Sequence, residues 1–207
     1  NAQPGAISEG NVGGGTGMIA YDFKGGTGTS SRLIEIADQT YTLAAIVQAN
    51  HGIRPWFTVL GTPVGKLMPN NRIHALHEQG SIIVILATDA PMLPHQLKRL
   101  AKRAALGIGK NGSPGGNNSG DIFLAFSTAN EQDLPQLSGP IRSMECLNDE
   151  VFDDFYMAAV EAIEESVINA MVAAEDTPTF KQPGDKICKA IDVQSLSSIV
   201  RTFHSIP

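Results

Sequence analysis

Apolar residues recur along this chain in unbroken runs, in short mixed stretches and at helical spacing, and each pattern predicts a different element. Two unbroken runs are dominated by large side chains, Ile82-Ile83-Val84-Ile85-Leu86 and Ile122-Phe123-Leu124-Ala125-Phe126. Five apolar residues, nearly all large, without a polar break predict a strand buried on both faces. Shorter stretches predict strands over residues 18–23, 33–36, 41–50 and 56–60. The second and third of these read as a hairpin turning at Asp38-Gln39-Thr40. Helical spacing appears three times. Pro91-Met92-Leu93-Pro94 opens the first helix, Leu97, Leu100, Ala101 and Ala104 form its stripe, and Gly107 and Gly109 end it. Asn148 caps a long second helix reaching about Ala174, with Val151, Phe155, Val160, Ile163, Val167 and Met171 inward. A third starts at Asp192 and turns Leu196, Ile199, Val200 and Phe203 inward. Residues 52–80, 110–120 and 132–140 read as loops. Strands come first and helices gather after residue 81, which predicts an α+β domain with helix layers covering sheet, one domain over 1–207.

Composition narrows the function classes. With 42% hydrophobic and 17% charged residues, the chain is globular rather than disordered. A net charge of −6 argues against generic polyanion binding. The one basic cluster, Lys98, Arg99, Lys102 and Arg103, has no interleaved aromatic residues for base stacking, so it reads as a solvated helix face and no nucleic-acid partner is expected. Cys146 and Cys188 lie far apart without metal-ligand spacing and read as structural thiols. No run approaches the length of a membrane span, so no membrane partner is expected. The first residue is Asn1, and localisation, cytoplasmic or periplasmic, stays open.

Ser81 is the residue with the sharpest chemical reading. It follows Gly80 and opens the first apolar run. If the Gly80–Ser81 bond were cut, Ser81 would carry a nucleophilic hydroxyl and a free α-amine on one residue. An α-amine titrates near 7.7–8.0, so at neutral pH it can accept the hydroxyl proton. The same two residues would equally serve as a turn glycine and a strand-opening serine. Ser119 and Asp121, at the edge of a glycine-rich loop, share one face of an extended backbone and offer a hydroxyl and a carboxylate to a neighbouring Ser81; a strand-capping turn would use the same residues. Asn50 ends a strand, where its amide is able to donate to an oxyanion or simply to make a turn. The glycine clusters Gly13-Gly14-Gly15 and Gly25-Gly26 lack the lysine and helix of a phosphate loop and read as tight turns. His74 and His77, with Glu78, make a weak metal pair. A Ser81, His95 and Asp89 triad lacks the serine elbow that would support it.

Taken in order, Glu9-Gly10-Asn11-Val12-Gly13-Gly14-Gly15-Thr16-Gly17-Met18, Phe23-Lys24-Gly25-Gly26, Val47-Gln48-Ala49-Asn50, Gly80-Ser81, Ala87-Thr88-Asp89-Ala90-Pro91, Leu93-Pro94-His95-Gln96-Leu97 and Ser119-Gly120-Asp121 with Ala125-Phe126-Ser127-Thr128 form a linked series. That series resembles the L-aminopeptidase/D-esterase (DmpA-like) and β-peptidyl aminopeptidase family over nearly the whole chain. The resemblance implies a four-layer αββα sandwich and a precursor that cleaves itself into α and β chains at Gly80–Ser81. Ser81 is then the serine nucleophile, Asn50 the oxyanion donor and Ser119 the contact to the nucleophile's amine. Asp121 stands where some relatives have Glu. No cofactor or metal is implied. The expected substrates are small peptides, amino-acid amides or esters, and the cleaved unit is expected to be a homo-oligomer.

Against that pattern, residues 81–207 read as a whole β chain and residues 1–80 as only the last part of an α chain. The fold is therefore expected to be incomplete at the N-terminus, to leave a sheet edge or a helix face uncovered, and to depend on an upstream α-chain segment. Two other readings stand beside the hydrolase. One is an acyltransferase of the ornithine acetyltransferase type, which normally uses Thr where this chain has Ser81. The other is an uncleaved scaffold or binding protein.

Overall fold

The computed structural model describes residues 5–73, 80–133, 136, 139–179 and 186–205. A single turn of 3-10 helix at Gly13–Gly17 precedes strands β1 (Ile19–Ala20), β2 (Phe23–Lys24), β3 (Gly26–Ile36) and β4 (Gln39–Ala49). After a 3-10 turn at Arg54–Trp56 come helix α1 (Val64–Leu67), strand β5 (Ile83–Thr88), and helices α2 (Pro94–Ala101) and α3 (Ala104–Lys110). Strand β6 (Ile122–Ser127), helix α4 (Phe152–Val172), strands β7 (Thr177–Pro178) and β8 (Ile187–Cys188), and helix α5 (Val193–His204) complete the order.

Four strands form the main sheet in the order β3-β4-β5-β6. The β3–β4 hairpin and the β4–β5 pair are antiparallel, whereas β5 and β6 run parallel, Ile83 opposite Ile122. The parallel pair requires a long crossover, which α2 and α3 supply. Helix α4 lies across one face. Asn148 caps its entry by accepting the Glu150 N–H at 3.1 Å, and Asp153 and Asp154 in its first turn suit the positive end of the helix dipole. Phe155, Ala159, Ala162, Ile163, Val167 and Ala170 are fully buried beneath it, against Leu43, Val47, Val84 and Leu86 of the strands. Each large side chain so buried contributes roughly 1.5–3 kcal/mol. The alanines let the helix come close: a Cβ at Gly28 of β3 would lie 2.0 Å from the Ser166 carbonyl. Glu164 of α4, itself buried, bridges to Lys110 at the end of α3 at 2.5 Å.

The opposite face of the sheet is open among the described residues. Leu33, Ile83, Ile122, Leu124 and Phe126 all point to it, and Leu33 is 73% and Ile122 58% exposed. The uncovered surface is thus a sheet face, not the expected sheet edge or helix face. The expectation that the two apolar runs are buried on both sides is corrected accordingly: β5 and β6 bury one face only. An apolar run reports only that large apolar side chains alternate onto both faces, and among the described residues helix α4 covers one of them.

Other differences are local. Residues 18–23 form a tight hairpin, not one strand, because Tyr21 and Asp22 both adopt positive φ. Strand β3 starts seven residues earlier than its apolar part, through Gly26 and Gly28. Residues 56–60 make no strand; Val59 bridges Thr62 instead. The helix opened by Pro94 breaks after Ala101, and its continuation runs through Gly107, where Ile163 of α4 fills the space a side chain would take. Cys146 is exposed and Cys188 buried, both as free thiols.

Candidate active site

Ser81 lies two residues ahead of β5, half-buried on the approach to the strand. Because β5 and β6 are parallel, the segment entering β6 lies directly beside it. The Gly120 N–H donates to Ser81 Oγ at 2.7 Å. Asp121 Oδ1 accepts the Ile82 N–H at 2.9 Å and the Ser119 hydroxyl. The carboxylate therefore ties together the two strand entries, and the nucleophile candidate receives a backbone donor. An N–H aimed at a hydroxyl oxygen favours that oxygen as it gains negative charge.

Asn50 follows β4, on the other side of Ser81. Its Oδ1 accepts the Ile19 N–H at 3.0 Å, which settles the amide orientation, since only the oxygen is able to accept. The Asn50 Nδ2 end faces Gly80. A Cβ at residue 80 would stand 1.8 Å from the Asn50 carbonyl oxygen and 3.0 Å from Nδ2. Glycine is the residue that fits there, and the fit brings a side-chain amide donor close to Gly80.

The β1–β2 hairpin that presents Ile19 is held by buried cations. Arg54, 1% exposed, donates to the Tyr21 and Asp22 carbonyls at 2.8 and 2.6 Å and to those of Met68 and Asn70. Its guanidinium carbon lies 3.3 Å from the centre of the Phe23 ring. Burial pulls the Arg54 pKa down to about 10. Left-handed φ at two non-glycine residues costs about 1–2 kcal/mol each, and the Arg54 bonds hold both carbonyls of that turn. Lys24 is buried too, its ammonium surrounded by three carbonyls, and desolvation lowers its pKa while the nearby Cys188 opposes the shift. Burial also pushes the Cys188 thiol up to about 11.

His51, next to Asn50, is fully enclosed. Its Nε2 lies 3.2 Å from the Tyr21 hydroxyl, its ring packs edge-on against Tyr21, and Nδ1 has no hydrogen-bond partner among the described residues. Desolvation pushes its pKa down to about 4, with the charge of Asp121 pulling more weakly the other way. At neutral pH the imidazole is uncharged.

The structure therefore brings Gly80, Ser81, Asn50, Ser119 and Asp121 to one place. It does not assemble the alternative triad. Asp89 lies beyond the far end of β5, where it accepts the Thr42 N–H, about 25 Å of extended chain from Ser81. His95 is exposed on α2. His74, His77 and Glu78 fall outside the described residues, and among those described no three His, Cys, Asp or Glu side chains gather to hold a metal. Lys24, Arg54, Tyr21 and His51 were not anticipated as site residues. The one trace they leave in the sequence is Lys24 set between Phe23 and Gly25, a lysine in a mostly apolar hairpin.

Residues 1–183 match peptidase family S58. The chain belongs to that family. A β-peptidyl aminopeptidase, BapA, of Sphingosinicella microcystinivorans is 48% identical over an alignment of 188 positions that covers 84% of this chain and 47% of the relative. The S58 chain also superposes on the L-aminopeptidase D-Ala-esterase/amidase of Ochrobactrum anthropi, described as a variant of the Ntn hydrolase fold. The TM-score is 0.90 at 52% identity, over 98% of this chain and 55% of that one. A β-aminopeptidase of a Burkholderia species gives 0.85 at 38% identity, over 97% and 55%. The α+β sandwich class expected from the motif series is thus the fold of these relatives. The chain spans about half the length of each of them.

Proposed function

We propose that this chain belongs to a serine-type N-terminal-nucleophile aminopeptidase that first cleaves its own Gly80–Ser81 bond and then releases N-terminal residues from small peptides, amides or esters. One observation carries the reading. Ser81 Oγ sits between a backbone N–H, that of Gly120, and the segment where the Asn50 amide meets Gly80. In self-cleavage, Oγ attacks the Gly80 carbonyl carbon, the C–N bond breaks, the nitrogen takes up the proton that the hydroxyl gives up and becomes a free amine, and water hydrolyses the resulting ester. In turnover, Ser81 Oγ attacks the substrate carbonyl and the new α-amine takes its proton. The Asn50 Nδ2 donates to the oxyanion, the leaving amine or alcohol receives the proton, and water releases the acyl group from Ser81. Asp121 holds the Ile82 N–H and fixes the Ser119 hydroxyl hydrogen, which leaves the Ser119 oxygen able to accept a hydrogen bond from the amine.

The open sheet face supports a further part of this reading. Leu33, Ile83, Ile122, Leu124 and Phe126 make an apolar surface of the kind a second sheet covers. In the whole protein the upstream α-chain segment closes that face and supplies the substrate-pocket walls. Homo-oligomeric assembly of the cleaved unit belongs to the same proposal.

Intact mass of the freshly purified whole protein and of its Ser81→Ala variant tests the reading. Wild type should give two species divided between Gly80 and Ser81 and should release amine from aminoacyl amides. Ser81→Ala should stay in one piece and be inactive. A variant that processes or hydrolyses like wild type refutes the assignment.

A further inference from the structure

The peptide plane between Met18 and Ile19 has a partner on each side. Its N–H donates to Asn50 Oδ1 at 3.0 Å. Its carbonyl accepts the Lys24 Nζ at 2.9 Å and the Gly25 N–H at 2.9 Å. The same Nζ donates to the Gly15 and Gly25 carbonyls, at 2.9 and 2.8 Å. An ammonium has three N–H bonds, and here all three end on carbonyls. The side chain is 1% exposed, and no ion pair neutralises it among the described residues. A buried charge without a counter-ion is costly, so its retention calls for an explanation. A lysine that merely filled the hairpin would be replaceable by an apolar side chain of similar length.

We propose that Lys24 is a positioning residue for the oxyanion donor, acting on Asn50 through the Met18–Ile19 peptide. A cation on the carbonyl oxygen polarises the peptide and strengthens its N–H as a donor. That stronger bond, accepted at Asn50 Oδ1, draws electron density from the side-chain amide and makes Nδ2 a better donor in turn. Hydrogen-bonded amides in series reinforce one another by about 10–30% per bond, and more effectively where water is excluded. The chain of atoms is continuous: Lys24 Nζ, Met18 carbonyl, Ile19 N–H, Asn50 Oδ1, Asn50 Nδ2. Lys24 also sets the position of that peptide by joining the 3-10 turn, through Gly15, to the hairpin. Arg54 anchors the hairpin at its opposite end. The two buried cations thus have separate tasks, one holding the Tyr21–Asp22 turn and one addressing Asn50.

This inference rests on the proposed role of Asn50, and a double-mutant cycle in the whole protein separates the two. Wild type, Lys24→Met, Asn50→Ala and the double variant are compared for turnover of an aminoacyl amide. Lys24→Met should lower kcat at least tenfold with KM within twofold of wild type. In the Asn50→Ala background the same change should alter kcat less than twofold. Equal losses in both backgrounds, or wild-type kcat in a folded Lys24→Met protein, overturn the proposal while leaving the hydrolase reading intact. An inactive, uncleaved wild type overturns both. Where Lys24→Met does not fold, Lys24→Gln keeps neutral donors at the same place. Its Asn50 side-chain amide resonances, read by nitrogen-15 NMR without any catalysis, should move upfield from wild type. Unchanged resonances count against the relay.

Discussion

Enclosure of His51 should make the protein acid-sensitive well above the range in which carboxylates titrate. An unfolded imidazole takes a proton near 6.5, whereas the folded one resists until about 4. Stability contributed by a neutral His51 is therefore complete above 6.5 and is lost as pH falls towards 4, because in that window the unfolded chain binds the extra proton. With 1.36 kcal/mol per unit, the limiting loss is roughly 3 kcal/mol, and about 2 kcal/mol of it falls between pH 7 and pH 5. Such a loss is a large part of the stability of an ordinary domain. The control is His51→Gln, which does not titrate and can still bond the Tyr21 hydroxyl. Urea unfolding of both proteins at pH 7 and pH 5 isolates the histidine, because Asp149, Asp176, Asp192 and Glu165, whose bonded carboxylates titrate below their ordinary values, act alike in both. Wild type should lose about 2 kcal/mol more than the variant over that interval. Equal losses, or an imidazole proton signal that titrates with a midpoint near 6.5, would refute the reasoning.

Two further changes probe the packing and the carboxylate. Gly28→Ala places a methyl 2.0 Å from the Ser166 carbonyl and 2.8 Å from the Ala170 Cβ. It should cost at least about 1–3 kcal/mol by lifting α4 from β3, and an unchanged melting temperature would contradict that packing. Asp121→Ala leaves the Ile82 N–H and the Ser119 hydroxyl without their acceptor, which should cost about 1–3 kcal/mol and slow turnover. Asp121→Asn keeps an accepting oxygen and should recover most of the stability, as thermal unfolding of the two variants will show.

Strands β5 and β6 were legible as unbroken apolar runs, β4 as a mixed stretch after a turn, and helices α4 and α5 by helical spacing, although Phe203 at the end of α5 is exposed and not inward as expected. What lay across from them was not legible. The runs at residues 82–86 and 122–126 state how strongly two faces avoid water, but a run cannot say which face this chain itself covers. The start of β3 escaped notice for a related reason. Gly26 and Gly28 resemble loop residues in a sequence, yet Gly28 is small because α4 rests on it. Gly107 misled in the same way, read as a helix stop when it is a helix crossing. At the site, Ser81, Asn50, Ser119 and Asp121 each allowed an ordinary turn or cap reading, and the linked motif series around them is what singled them out. Lys24 and Arg54 did not stand out, since their partners are backbone carbonyls, and carbonyls leave no signature in a sequence.

The direction of one strand pairing accounts for much of the site's geometry. Had β6 run antiparallel to β5, the approach to β5 would have stood beside the exit of β6, and the glycine-rich loop would have lain at the other end of the sheet. Parallel pairing puts two entries side by side instead. Ahead of each strand the chain has not yet joined the ladder, so its N–H groups are free for other acceptors. The Gly120 N–H goes to Ser81 Oγ and the Ile82 N–H goes to the Asp121 carboxylate, one bond in each direction across the gap. Antiparallel β4, on the other flank of β5, ends where β5 begins and so delivers Asn50 to the same point. Two entries and one exit converge, and the crossover through α2 and α3 that parallel pairing demands is what places residues 119–121 beside residue 81. A substitution that loosened this crossover, far from Ser81, would therefore be expected to disturb the nucleophile before it disturbed the core under α4.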